Sequence, residues 1–174
     1  MYATDITEGQ VAAQEHWGRA ITICVIAGLG LSIGALVYLT DRAAYSHSLL
    51  PRFASLQRRH LFGVVGPWLP SFLHTFSFSL LTAAARSPAK SPAYGACAAW
   101  CTVNLAFEFG QHPRVSQRLA DLVLRTFGDT APSRWTSNFF IRGTFDVNDI
   151  AAAVAGGLAA AGLLHLVHSP RRAT

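Results

Sequence analysis

Four apolar runs, each near the length that crosses a bilayer, fall within 174 residues, at about 20–39, 68–85, 93–110 and 150–167. A helix needs about 20 apolar residues to span a hydrocarbon core about 30 Å thick. Runs of this length are too long for strands and read as helices. Little of the chain then remains for anything else. The sequence predicts an all-α fold, a four-helix transmembrane bundle forming a single membrane domain over residues 1–174.

Composition agrees with that frame. Only 13% of residues are charged and 51% are hydrophobic, with a mean hydropathy of +0.31. A soluble domain carries about 25% charged residues, so this chain has too little charge to coat a water-soluble body of its size. The net charge of +5 comes from arginines scattered between the apolar runs. That distribution fits contact with anionic membrane lipids and argues against nucleic acid, which calls for a basic face. Cys24, Cys97 and Cys101 all lie within apolar runs, where small buried thiols are ordinary packing residues.

Residues 1–16 are polar and acidic without a basic start, unlike a secretory signal. In the first run, Gly30 and Gly34 form a small-xxx-small pair of the kind that lets helices approach closely in lipid. The 41–60 segment is basic, with Leu49, Leu50, Phe53 and Leu56 at helix-like intervals, and part of it is expected to lie flat among the headgroups. Pro67 and Pro70 fit the start of the second helix but not its middle. Past the third run, residues 115–127 place apolar side chains at i, i+4, i+7, i+8 and i+12, with Arg118, Asp121 and Arg125 between them. This predicts a short interfacial amphipathic helix capping the bundle. Arg134-Trp135 and Phe139-Phe140 add aromatics suited to the membrane boundary. Gly157 and Ala161 offer a second close-packing face on the last helix.

Chemistry concentrates between residues 104 and 149. Asn104, Glu108 and Gln111 or His112 form one polar stripe on the third helix, because residues three and four apart share a face. Asp146 and Asp149 repeat the i, i+3 spacing at the start of the last helix, where the dipole favours negative charge. Arg142 and Gln111 are the nearest partners in sequence for these carboxylates. His74, flanked by Ser71 and Ser77, puts an ionisable group inside the second helix. Ionisable groups in a membrane segment face the bundle interior, and the plain alternative for His74 is a neutral ring hydrogen-bonded to a neighbouring helix. Nothing in the spacing demands a metal or a cofactor.

These elements resemble the VanZ-like family of small bacterial membrane proteins. Those proteins have a helix with an inward histidine, here His74; a later helix ending in Glu-x-x-Gln, here Glu108-Phe-Gly-Gln111; and a Phe-Asp-x-x-Asp motif opening an Ala/Gly-rich last helix. That motif is Phe145-Asp146-Val-Asn-Asp149, with Gly156 following, and the likeness covers about residues 69–162. The chain departs from the family at Ala153, where asparagine is common, and in its longer span from Gln111 to Phe145.

The resemblance implies a multi-pass protein of the bacterial inner (cytoplasmic) membrane. Two readings follow. In one, Glu108, Asp146, Asp149 and His74, with Gln111, Arg142 and Asn104 as ligand-binding groups, line a site at the membrane boundary that binds or processes an envelope or lipid-like ligand. In the other, the chain is a small accessory or assembly subunit of a larger membrane complex, and its carboxylates cap helices and pair with arginines. The longer loops carry nine of the fourteen basic residues, which places them in the cytoplasm, whereas the resemblance argues for the opposite orientation.

Overall fold

The computed structural model describes residues 2–41, 61–85 and 93–168. Among these, the chain is all-helical: α1 (Tyr2–Thr40), α2 (Leu69–Ala85), α3 (Ala93–Gly110), α4 (Ser116–Phe127), α5 (Ala131–Arg142) and α6 (Val147–His168). A short 3-10 turn, Gly63–Val65, precedes α2, and no strand occurs among the described residues. The expected flat-lying segment within 41–60 falls, apart from Asp41, outside them.

α2, α3 and α4 begin and end within a residue or so of the predicted bounds. α1 does not, since its helix starts near the beginning of the chain rather than at residue 20. At about 1.5 Å per residue its 39 residues reach about 58 Å, well beyond a hydrocarbon core. α5 was expected only as an aromatic boundary segment. It is a capped helix: Thr130 and Ser133 bond each other's backbone N–H groups at 2.9 and 3.4 Å, and Pro132 fits the first turn.

The packing is centred on α2, which touches α1, α3 and α6; α6 also packs on α3, while α4 and α5 pair with each other. Ile23, Ala27, Gly30, Gly34 and Val37 recur at i, i+4, i+7, i+11 and i+14 and form the buried face of α1. Gly30 and Gly34 bring that face onto Ser77 and Leu73 of α2. On α6, a Cβ added at Gly156 would overlap the backbone carbonyl of Phe72, so α2 and α6 touch backbone to backbone there. Gly157, beside it, faces Cys101 and Thr75 with ordinary clearance. Ile23, Ala27, Leu80, Cys97, Ala160 and Leu164 close the core.

The outside of this body is apolar. Ile21, Val25, Leu29 and Ile33 are exposed along α1, Val103 and Phe107 on α3, and Leu158 and Leu166 on α6. In α2 only Ala85 is exposed. Two helices are long and apolar enough to cross a membrane, α1 over Trp17–Thr40 (24 residues) and α6 over Val147–Val167 (21 residues). Of the four expected crossings, two therefore meet that test. α2 has 17 residues, and α3 loses apolar character to Asn104, Glu108, Tyr94 and Trp100.

Candidate functional site

Helix directions bring the polar residues to one end. α1 and α2 are antiparallel, because Gly30 meets Ser77, Gly34 meets Leu73, and the Tyr38 and His74 rings stack at 6.1 Å. α3 and α6 are antiparallel too: Tyr94 Oη lies 3.1 Å from His165 Nδ1 at one end, and Gly157 packs on Cys101 further along. Glu108 lies two turns after Cys101 and Ile150 two turns before Gly157, so Glu108 comes level with Asp149. Ser71, at the start of α2, reaches the same level through its contact with Asp149. Every carboxylate of the four packed helices outside the N-terminal extension of α1, namely Asp41, Glu108, Asp146 and Asp149, thus lies at this end.

Asp149 is the most deeply placed. It is 6% exposed, in the first turn of α6, and Ser71 Oγ donates to its Oδ1 at 2.8 Å. The helix N-terminus adds a favourable field. Asp146 has a different task. Its Oδ1 accepts the Asn148 backbone N–H at 2.9 Å and the Asn148 side-chain amide at 3.0 Å, making it the N-cap of α6. Glu108 is half-buried, with Oε2 shut off from solvent. Gln111 sits on the glycine that follows α5, where a Cβ at Gly143 would run into its side chain.

The remaining residues are dispersed. His74 is half-buried between the rings of Tyr38 and Phe78. Asn104 donates to the Trp100 carbonyl of its own helix at 3.0 Å. His112 packs edge-on to Phe145. Arg142 is exposed on the last turn of α5. Among the described residues, no three His, Cys, Asp or Glu side chains group as a metal site.

Sequence reasoning passed over Asp41. Its Oδ2 accepts the Phe62 N–H at 3.1 Å and its Oδ1 lies 2.6 Å from Thr40 Oγ1, tying the end of α1 to the turn before α2. A usable signal was present, since a carboxylate at a helix C-terminus opposes the dipole and needs a tertiary partner. No protein-family model, curated protein or solved structure matches this chain.

Proposed function

We propose that the chain is a multi-pass integral membrane protein, VanZ-like in plan, whose carboxylate end binds the polar head of an amphiphilic envelope ligand at the membrane boundary. The bundle of α1, α2, α3 and α6 crosses the bilayer four times in this reading. The outward apolar faces of α1, α3 and α6 support it, because a water-soluble bundle would turn those residues inward. α2 needs no lipid-facing surface, so its shortness matters less.

The observation that carries the site is the burial of Asp149. A carboxylate in the first turn serves the helix dipole equally well from the surface, and Asp146 already caps the helix. Taking Asp149 out of water costs several kcal/mol unless hydrogen bonds compensate. Ser71 supplies part of that compensation, and a carboxylate held beside it, level with Glu108, is placed to receive a ligand's hydroxyl or ammonium donors. Ala153, where the VanZ-like pattern favours asparagine, is completely buried, so this chain fills that position by packing alone.

A second reading, the accessory subunit, has its own support. Cys24, Gly28, Ser32 and Ala35 form an outward stripe of small residues on α1, and Ala151, Ala155, Ala159 and Gly162 form another on α6. Such stripes allow close helix packing in lipid.

Extraction of the full chain into native nanodiscs, with identification of everything that co-purifies, separates the two. The ligand reading expects an amphiphile retained by the wild type and lost from Asp149→Asn, a shape-conserving change that can still accept the Ser71 hydrogen bond. Retention by that variant, or larger partners at fixed stoichiometry that bind it unchanged, would overturn the site.

A further inference from the structure

α5 buries two serines with one phenylalanine and leaves large apolar side chains outside. Its buried positions are Ser133, Ser137 and Phe140, and Ser137 Oγ donates to the Ala120 carbonyl of α4 at 3.1 Å. Its outer face carries Trp135, which is 73% exposed, together with Ile141, Arg134, Arg142 and Asn138. In water, a helix that hides two serines beside Phe140 while displaying tryptophan and isoleucine gains little from the outward part of the arrangement. At a lipid headgroup layer it fits, because the indole sits at the apolar–polar boundary and guanidinium groups bind phosphate in pairs of parallel bonds.

The position of α5 agrees. Phe139 and Phe140 pack on Phe107, an outward-facing residue one turn inside the end of α3, with ring centroids 5.6 and 6.2 Å away. The helix therefore lies against the flank of the bundle, level with its last turn. Charge points to the sign of the surface. Residues 112–142 hold five arginines against Asp121 and Asp129, and the outer face of α5 has no carboxylate. Asp129 pairs with Arg134 only at 3.4 Å in an exposed bridge, which competes weakly with a phosphate.

We infer that the outer face of α5 is a bilayer-contacting element, and that it selects anionic phospholipid headgroups through Arg134 and Arg142 with Trp135 seated beside them. The inference rests on the membrane reading of the bundle and is independent of the Asp149 site.

The test uses the full chain with Cys24→Ala and Cys101→Ala, reconstituted in nanodiscs. An NBD label is attached at Asn138→Cys, on the α5 face, or at Leu29→Cys, on the outward face of α1. Headgroup-nitroxide phosphatidylglycerol should quench the Asn138 label at a lower mole fraction than headgroup-nitroxide phosphatidylcholine. The expected gap is about fivefold for each arginine engaged, since a basic residue at an anionic surface contributes about 1 kcal/mol. Arg134→Gln with Arg142→Gln should bring the two lipids level while the label stays quenched. Acyl-chain-brominated lipid should quench the Leu29 label in every case. Failure at Leu29 would remove the membrane reading itself. Quenching at Leu29 with no lipid preference at Asn138, or with a preference indifferent to the arginines, would overturn the α5 inference alone. So would an Asn138 label shielded from both lipids, as a protein seated on this face would leave it.

Discussion

Gly156 and Gly157 are neighbours in sequence and meet unlike surroundings. A methyl group at Gly156 points into the Phe72 carbonyl, which is backbone and cannot swing aside; at Gly157 it meets Cys101 Cβ at 3.6 Å and the Cys97 carbonyl at 3.7 Å, ordinary contacts. Gly156→Ala should therefore force α2 and α6 apart and destabilise the bundle by about 1–3 kcal/mol, the usual cost of overpacking. Gly157→Ala should be close to neutral, aided by the better helix propensity of alanine. Unfolding midpoints in mixed micelles would check this, and equal losses for the two variants would mean the close approach is not at Gly156. The sequence marks both as small residues in an Ala/Gly run, and spacing pointed to Gly157 with Ala161. Which of the two touches backbone depends on the rotation of α6 about its axis, which local pattern leaves open. The same limit explains Asp146 and Asp149. Their spacing identified two carboxylates at a helix start, but only packing separates a cap from a buried group.

At the scale of elements, periodicity and breakers located α2, α3 and α4 closely, because proline or polar residues bracket each of them. α5 was missed for a physical reason. Its buried face carries Ser133 and Ser137 ahead of Phe140, so hydropathy shows only a broken inward stripe, and the Thr130/Ser133 box has serine in the place usually held by glutamate or glutamine. α1 was cut short because hydropathy registers only its apolar part, whereas residues such as Ala12, Ala13, Gln14 and Glu15 sustain a helix by propensity. Thr130→Ala removes one acceptor and the reciprocal arrangement of the cap, so α5 should fray at a cost of about 1 kcal/mol. Hydrogen exchange of the Ala131, Ser133 and Arg134 amides should quicken, with the protection of α2 and α6 unchanged. Slow exchange at those amides in the variant would show that contact with α4, not the cap, holds the start of α5.

At the scale of the whole molecule, the body turns its apolar residues outward on three helices and gathers its bundle carboxylates at one end, while composition by itself conveyed only that such a chain avoids water. The four-crossing proposal takes two helices of spanning length to four, and the packing supports that extension. α2 packs on α1 and α6, which have spanning length, and the three share a common extent along the bundle: Leu80, Ile23 and Leu164 belong to one buried cluster toward one end and Ser71 meets Asp149 at the other. In the proposed membrane reading, a helix held alongside α1 and α6 over that distance crosses with them. α3 follows α2 back, since Trp100 Nε1 donates to Thr82 Oγ1 at 2.8 Å and Tyr94 reaches His165 near the far end of α6. The four-crossing proposal expects the α2–α3 connection and the α4–α5 hairpin on opposite sides of the membrane. Maleimide labelling of Lys90→Cys and Gln117→Cys, each in a background without Cys24 and Cys101, should report opposite sides in oriented vesicles, with Gln117 exposed on α4 and outside the packing. Labelling of both from the same side would leave α3 re-entrant or uninserted, and Glu108 and Asp149 could then no longer share one boundary of the bilayer.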